Sequence, residues 1–198
     1  MTARGALFLD RDGVITEEVD HLSHPDQVTL LPGAGDSIAV FNRSGIPVIL
    51  VTNQSAIARG LMDEAMFWRI QDRLNDLLEA CSAHLDGVYF CPHHPTAGTG
   101  RYTRVCACRK PAPGLILRAA SELNILLEGS LMVGDKRTDL LAGEAAGCSV
   151  VLVRTGHGQI EYEEHTEEIA RKSWPVFGSL AEARDYVLRK LRNLRPEM

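Results

Sequence analysis

The chain has 198 residues, of which 45% are hydrophobic and 24% charged, and a formal net charge of −5. That length suits one domain with a sizeable core, and the acidic balance excludes general attraction to nucleic acid or an anionic membrane. No apolar run approaches a membrane span, and Met1-Thr2-Ala3-Arg4 leads straight toward a strand, so neither a membrane partner nor export is expected and a cytoplasmic location follows.

The first predicted element is a strand over residues 6–9 that stops at Asp10-Arg11-Asp12-Gly13. A long loop covers 16–31, and a helix is predicted near 34–44. A strand over 47–51 runs into Thr52-Asn53-Gln54-Ser55. The helix that follows, about 63–81, repeats Met66, Phe67, Ile70, Leu74, Leu77, Leu78 and Cys81 at helical spacing, which marks its core face. A strand over 87–91 opens a polar loop that ends in Cys108-Arg109-Lys110-Pro111, and Pro113 suits the first turn of the next helix. A strand over 130–134 delivers Asp135, a helix over 137–146 carries Asp139, and a strand over 149–153 follows. The acidic stretch 156–173, with Glu161, Glu163, Glu164, Glu167 and Glu168, reads as a solvated face along the sheet edge. In the last helix, 180–192, Leu180, Val187, Leu188 and Leu191 face inward. Arg184, Arg189, Lys190, Arg192 and Arg195 are then its wet side rather than a nucleic-acid surface.

Such βαβ alternation implies an α/β fold with a doubly wound, mainly parallel sheet. The first gap, about 16–31, is too short for an inserted domain, and one helix, one strand and the polar loop account for the segment between Thr52 and Lys110. A capless single domain over 1–198 is expected, with specificity left to the loops 16–27, 54–62 and 91–109. Strand ends in such sheets converge on one crevice. There Asp10, Asp12, Asp135 and Asp139 would repel one another unless a hard cation such as Mg²⁺ sat among them. Thr52 could offer its hydroxyl to phosphate oxygens, and Lys110 could counter the charge of a transferring phosphoryl group.

A nucleophile-bearing D-x-D, a threonine, a lysine and an acidic pair, in that order, resemble the four motifs of the haloacid dehalogenase (HAD) superfamily of phosphatases. Asp10-Arg11-Asp12-Gly13-Val14-Ile15, Thr52-Asn53-Gln54-Ser55, Cys91-Pro92-His93-His94-Pro95, Cys106-x-Cys108-Arg109-Lys110-Pro111 and Val133-Gly134-Asp135-Lys136 narrow the likeness. They are similar to the heptose-bisphosphate phosphatase family and to the phosphatase part of histidinol-phosphate phosphatases. The family usually has Gly where this chain has Ala56, and the stretch Thr16 to Gln27 is longer than that likeness leads one to expect.

The resemblance implies Mg²⁺-dependent hydrolysis of the 7-phosphate of a heptose 1,7-bisphosphate through an aspartyl-phosphate, on the way to nucleotide-activated heptose for lipopolysaccharide or surface glycan. It makes Asp10 the nucleophile, Asp12 the acid and base, and Thr52 and Lys110 stabilisers of the transferring group. Magnesium would be held by Asp10, the backbone carbonyl of Asp12 and Asp135, with Asp139 supporting through water. Arg11, Asn53, Gln54, Ser55, Arg109 and Lys136 would bind substrate, Arg109 by setting its planar fork on a second phosphate. Histidinol phosphate is the nearest rival substrate. A nucleic-acid 3′-phosphatase and a non-catalytic binding module compete less well: the acidic balance speaks against the first, and the complete catalytic set against the second. The partner expected is a small phosphorylated sugar, acted on by a monomer.

Five cysteines, an odd number in a chain with no export signal, argue against disulfides. Three cluster with a histidine: Cys91-x-His93, twelve intervening residues, then Cys106-x-Cys108. A Cys₃His set suits tetrahedral structural zinc, although the one-residue spacers are tighter than usual. The loop between has almost nothing apolar to bury, so a staple is expected there. His94 is the competing imidazole. Cys81 and Cys148 read as small core residues.

Overall fold

The computed structural model describes residues 4–98 and 100–193; Met1-Thr2-Ala3, Thr99 of the cysteine loop and Arg195 lie outside the described residues. Six strands form one sheet: β1 (Leu7–Leu9), β2 (Val48–Asn53), β3 (Gly87–Cys91), β4 (Leu131–Gly134), β5 (Ser149–Val153) and β6 (Val176–Phe177). The spatial order is β3-β2-β1-β4-β5-β6 and every pairing is parallel. Order therefore reverses beside β1, and β1 and β4 are the neighbours whose carboxyl ends open on the crevice.

The strands alternate their apolar side chains between two cores, as a sheet covered on both faces requires. Leu7, Leu9, Leu50, Leu131, Val133, Val151 and Val153 face one layer. That layer is built from α1 (Ala34–Arg43), α3 (Glu64–Ala80) and α8 (Leu180–Asn193), which contribute Ile38, Phe67, Ile70, Leu74, Leu78 and Val187. Phe8, Ile49, Val51, Met132, Val150 and Leu152 face the other, closed by α4 (Gly114–Leu123) and α5 (Arg137–Ala146). The apolar stripe predicted for α3 is thus its packed face, with Met66, Leu77 and Cys81 at the margin. Cys148 is buried against the second core.

Strand β2 continues two residues beyond its predicted end, because Thr52 and Asn53 keep pairing with Phe90 and Cys91. A short helix, α2 (Ser55–Ala58), follows it. The acidic stretch is more structured than a solvated face. It forms α6 (Gly158–Glu164) and α7 (Thr166–Lys172), which lead into the edge strand β6. Glu161 accepts from the Arg137 backbone N–H at 3.1 Å and Glu168 pairs with the Arg137 guanidinium, while Glu163, Glu164 and Glu167 remain exposed. Loop 16–31 holds, among the described residues, a single 3₁₀ turn at Pro25–Gln27, and it is pinned by buried Thr16, Leu22 and Val28. Among the described residues no helix is long and apolar enough to cross a membrane.

Candidate active site

Asp10 leaves β1 with its backbone N–H bonded to the Val133 carbonyl at 3.1 Å, so the ends of β1 and β4 are locked together. Asp135 follows β4 directly and is fully buried; Asp139 sits in the first turn of α5, also buried. One carboxylate oxygen from each of Asp10, Asp135 and Asp139 lies within 4.8 Å of the others. Lys110, 3% exposed, reaches into the group with Nζ 2.9 Å from Asp10 Oδ1 and 2.7 Å from Asp139 Oδ1, and it donates to the Val51 carbonyl at 2.8 Å. Burial works against its charge, but the Asp10 and Asp139 carboxylates outweigh that and hold its pKa above the ordinary lysine value.

One ammonium does not neutralise three carboxylates. Burial, then the charges of Asp139 and Asp10, push the Asp135 carboxyl well above its usual range. Burial also lifts Asp139 to about 6, although Lys110 pulls it down and Asp10 pushes it up. Asp135 Oδ2 accepts the His157 backbone N–H at 2.9 Å, whereas buried Oδ1 has no hydrogen-bond partner among the described residues. A buried oxygen without a donor, in a cluster where the Asp135 and Asp139 carboxyls are both raised, fits a hard divalent cation of the Mg²⁺ kind. Two glycines make room for the Asp135 carboxylate. Gly13 (φ +81°) and Gly156 (φ +56°) crowd Asp135, and a Cβ on either would come within 2.4 Å of its Oδ2.

Asp12 stands apart from this cluster. Arg11 grips it as a fork, Nε to Oδ1 at 2.9 Å and Nη2 to Oδ2 at 3.0 Å, and Gln54 Nε2 donates to Oδ2 at 3.0 Å. Burial disfavours its charge, yet the Arg11 charge and these hydrogen bonds win and hold the carboxyl below its normal value. Arg11, expected to touch substrate, is instead 1% exposed and does not line the cleft. The carboxylate next to it in sequence takes the guanidinium inward. Gln54 also donates to the Thr52 hydroxyl at 2.9 Å. Asn53 exchanges two 3.1 Å hydrogen bonds with the backbone of Lys110, so its amide positions the lysine-bearing turn.

The cleft above these groups has a volume of about 510 Å³ and includes Thr52, Asn53, Gln54, Ser55, Arg109, Lys110 and Lys136 in its lining. Val19, Asp20, His21 and Leu22 form part of its wall, as expected of loop 16–27, and so does Ala56. Among the described residues of loop 91–109, Arg109 alone lines it. Its Nη1 donates to the His93 carbonyl at 3.0 Å, and it makes no ion pair among the described residues. Lys136 Nζ is 3.2 Å from Glu18 Oε2, and His157 Nε2 approaches the same oxygen at 3.6 Å. Glu18, His157 and Glu161 are wall residues that sequence reasoning missed. None belongs to a motif, and only the need of a cleft lysine for a counter-charge pointed toward an acid such as Glu18.

Cys91, His93, Cys106 and Cys108 meet at the end of β3, with ligand atoms 3.2–3.6 Å apart in the measured pairs. Tetrahedral zinc with bonds of roughly 2.0–2.3 Å gives edges of about 3.5–3.8 Å, close to this set. All five cysteines are free. Burial drives the Cys91 thiol upward, the ordinary cost of packing thiols together without a cation. His93 points Nδ1 at the sulfurs, while His94 Nδ1 accepts the Ala97 N–H at 2.8 Å and so caps the loop instead.

An all-parallel sheet reversing beside β1, with acidic groups at the ends of β1 and β4 and a lysine between them, defines a HAD-type phosphohydrolase. A HAD-hydrolase-like family model matches residues 107–183. The D-glycero-beta-D-manno-heptose-1,7-bisphosphate 7-phosphatase of Vibrio cholerae is 38% identical over 188 residues, 94% of this chain and 98% of that protein. The Escherichia coli K12 protein of the same name is 41% identical over 152 residues, 76% of this chain and 80% of its own. A crystal structure of D,D-heptose 1,7-bisphosphate phosphatase from B. bronchiseptica, complexed with magnesium and phosphate, superposes with a TM-score of 0.81 at 34% identity, covering 94% of this chain and 99% of that one. The chain belongs to the heptose-1,7-bisphosphate phosphatase family, and with it to the phosphoric monoester hydrolases.

Proposed function

We propose that the chain removes the 7-phosphate of D-glycero-β-D-manno-heptose 1,7-bisphosphate through a phosphorylated Asp10. The observation that carries the bisphosphate is Arg109. Lys110 and Lys136 each face a carboxylate, whereas the Arg109 guanidinium, among the described residues, is held by the backbone carbonyl of His93 and makes no ion pair. An unpaired planar fork at the cleft rim is suited to a second phosphate. The relatives' names supply the sugar and the anomer. Leaving the 1-phosphate in place yields a sugar 1-phosphate, the acceptor that nucleotide activation needs.

In the first half-reaction an Asp10 oxygen bonds phosphorus as the P–O bond to the sugar breaks, and Asp12, whose depressed carboxyl the negative charge of the arriving phosphate raises so that it takes up a proton, passes that proton to the departing oxygen. In the second, water bonds phosphorus, its proton returns to Asp12, and the bond to Asp10 breaks. Thr52 donates to a phosphoryl oxygen, and Lys110 holds Asp10 and Asp139 in place while offering charge to the transferring group. Asp10, Asp135 and the Asp12 carbonyl would hold Mg²⁺, with Asp139 behind water, and the cation would supply positive charge to the transferring phosphoryl group. Cys91, His93, Cys106 and Cys108 would hold zinc and fix the strand-to-helix passage that carries Arg109 and Lys110.

A turnover panel tests the reading: both anomers of the heptose bisphosphate, heptose 7-phosphate, histidinol phosphate and a 3′-phosphorylated oligonucleotide, each with Mg²⁺. The expected result is the highest kcat/KM for the β-bisphosphate, with inorganic phosphate released from C7. Highest kcat/KM for histidinol phosphate or the oligonucleotide would replace the proposed substrate.

A further inference from the structure

The carboxylate of Asp12 is held from four sides. Oδ1 meets Arg11 Nε at 2.9 Å and the Thr16 hydroxyl at 3.3 Å; Oδ2 meets Arg11 Nη2 and Gln54 Nε2, both at 3.0 Å. Arg11 is buried under the turn, its guanidinium carbon 5.8 Å from the Phe67 ring centroid, and among the described residues its one ion pair is with Asp12. Gln54 is 4% exposed, and its single amide nitrogen bridges two groups: the Asp12 carboxylate and, at 2.9 Å, the Thr52 hydroxyl. An amide nitrogen carries two hydrogens, one for each. Because the Thr52 oxygen accepts from Gln54, the hydroxyl hydrogen is left to donate elsewhere, and the cleft is where a phosphoryl oxygen arrives.

We infer that Arg11 and Gln54 are positioning residues for proton transfer: Arg11 fixes the plane of the Asp12 carboxylate, and Gln54 ties Asp12 to Thr52. The group that protonates the leaving oxygen and the group that grips the phosphoryl oxygen thereby keep one spacing. Burying a guanidinium and a carboxamide costs free energy that a packed apolar pair avoids, and buried Arg11 Nη1 has no hydrogen-bond partner among the described residues, so the arrangement is set by orientation rather than by stability. This inference rests on the reading of Asp12 as acid and base.

The test compares kcat/KM, which reports the first half-reaction, for a sugar phosphate and for p-nitrophenyl phosphate. A sugar alkoxide leaves only as it is protonated; nitrophenolate leaves without a proton. Asp12→Asn is expected to cost on the order of 10²–10⁴-fold on the sugar phosphate and far less on the aryl ester. Gln54→Leu, which keeps the volume and removes the donors, should lose at least about tenfold more on the sugar phosphate than on the aryl ester. Arg11→Lys, which keeps the charge and breaks the fork, should show the same preference. Equal losses on both esters in Gln54→Leu and Arg11→Lys, with Asp12→Asn selective, would overturn the positioning role and leave the reading of Asp12 standing. Equal losses in Asp12→Asn itself would overturn that reading and the inference with it. Thermal melting identifies a variant that fails to fold, and the other then decides by the same ratio.

Discussion

The molecule carries two clusters suited to metal, and they are built in opposite ways. The carboxylate cluster joins residues 10, 135 and 139, which only the adjacency of β1 and β4 brings together, and it opens on the cleft. The cysteine–histidine cluster draws on residues 91, 93, 106 and 108, one stretch of chain that starts at the last residue of β3, and among the described residues of loop 91–109 it reaches the cleft through Arg109 alone. Oxygen donors with an orphaned lone pair suit a hard, exchangeable cation. A closed set of thiols and one imidazole suits a soft cation that stays. Chemistry is entrusted to topology here, and the local loop to a staple.

The comparison breaks most visibly at Asp10. Asp10→Asn should lower kcat by roughly 10³-fold or more with the fold intact, since a carboxamide cannot replace the nucleophile. Steady-state kinetics with circular dichroism check it. Retention of a tenth of the activity would remove Asp10 from the reaction.

Arg109 tests whether the staple speaks to the substrate. Arg109→Ala should raise KM for the bisphosphate about ten- to a hundredfold, as loss of a charge-assisted bidentate contact predicts, and leave KM for a monophosphate nearly unchanged. Equal changes for both substrates would remove the case for a second phosphate.

At the staple itself, Cys106→Ser should lower bound zinc from about one per chain toward none by elemental analysis, on the four-ligand rule. It should also raise KM several-fold with less effect on kcat. Full zinc occupancy in that variant would show that the four donors do not act as one site.

The smallest effect concerns pH. Asp139 is raised to about 6 from the ordinary 3.8, and Asp135 is raised as well. In metal-free protein the folded state therefore keeps protons that the unfolded chain has lost, and stability falls as pH rises through that window. Mg²⁺ binds the ionised form and offsets the loss, so its stabilising shift in Tm should be larger near pH 7.5 than near pH 5. Calorimetric scans at the two pH values check this. A shift independent of pH would contradict a cation held by these carboxylates.

The ends of β1 and β4 were legible in the sequence because short apolar runs stop abruptly at Asp10 and Asp135, whereas β2 pairs on through polar Thr52 and Asn53; the α3 face was legible because Phe67, Ile70, Leu74 and Leu78 repeat with the helix period. Helices α6 and α7 were not: each is seven residues long, with Gly158 and Ile169 their only buried positions, too few for a periodicity to register. Arg11 and Gln54 carry the same names in a substrate-binding reading and a positioning one. What separates them is direction, which the turn at Gly13 and the end of β2 decide. Glu18 and His157 come to the cleft from segments far apart in sequence, and no spacing announces them.

The central claim is a covalent passage through Asp10, and the stereochemical course at phosphorus tests it most directly. A chiral phosphorothioate ester would be hydrolysed in isotopically labelled water and the configuration of the product determined. Two successive in-line displacements, one by Asp10 and one by water, predict net retention. Net inversion would mean that water attacks the substrate directly, and would contradict the account.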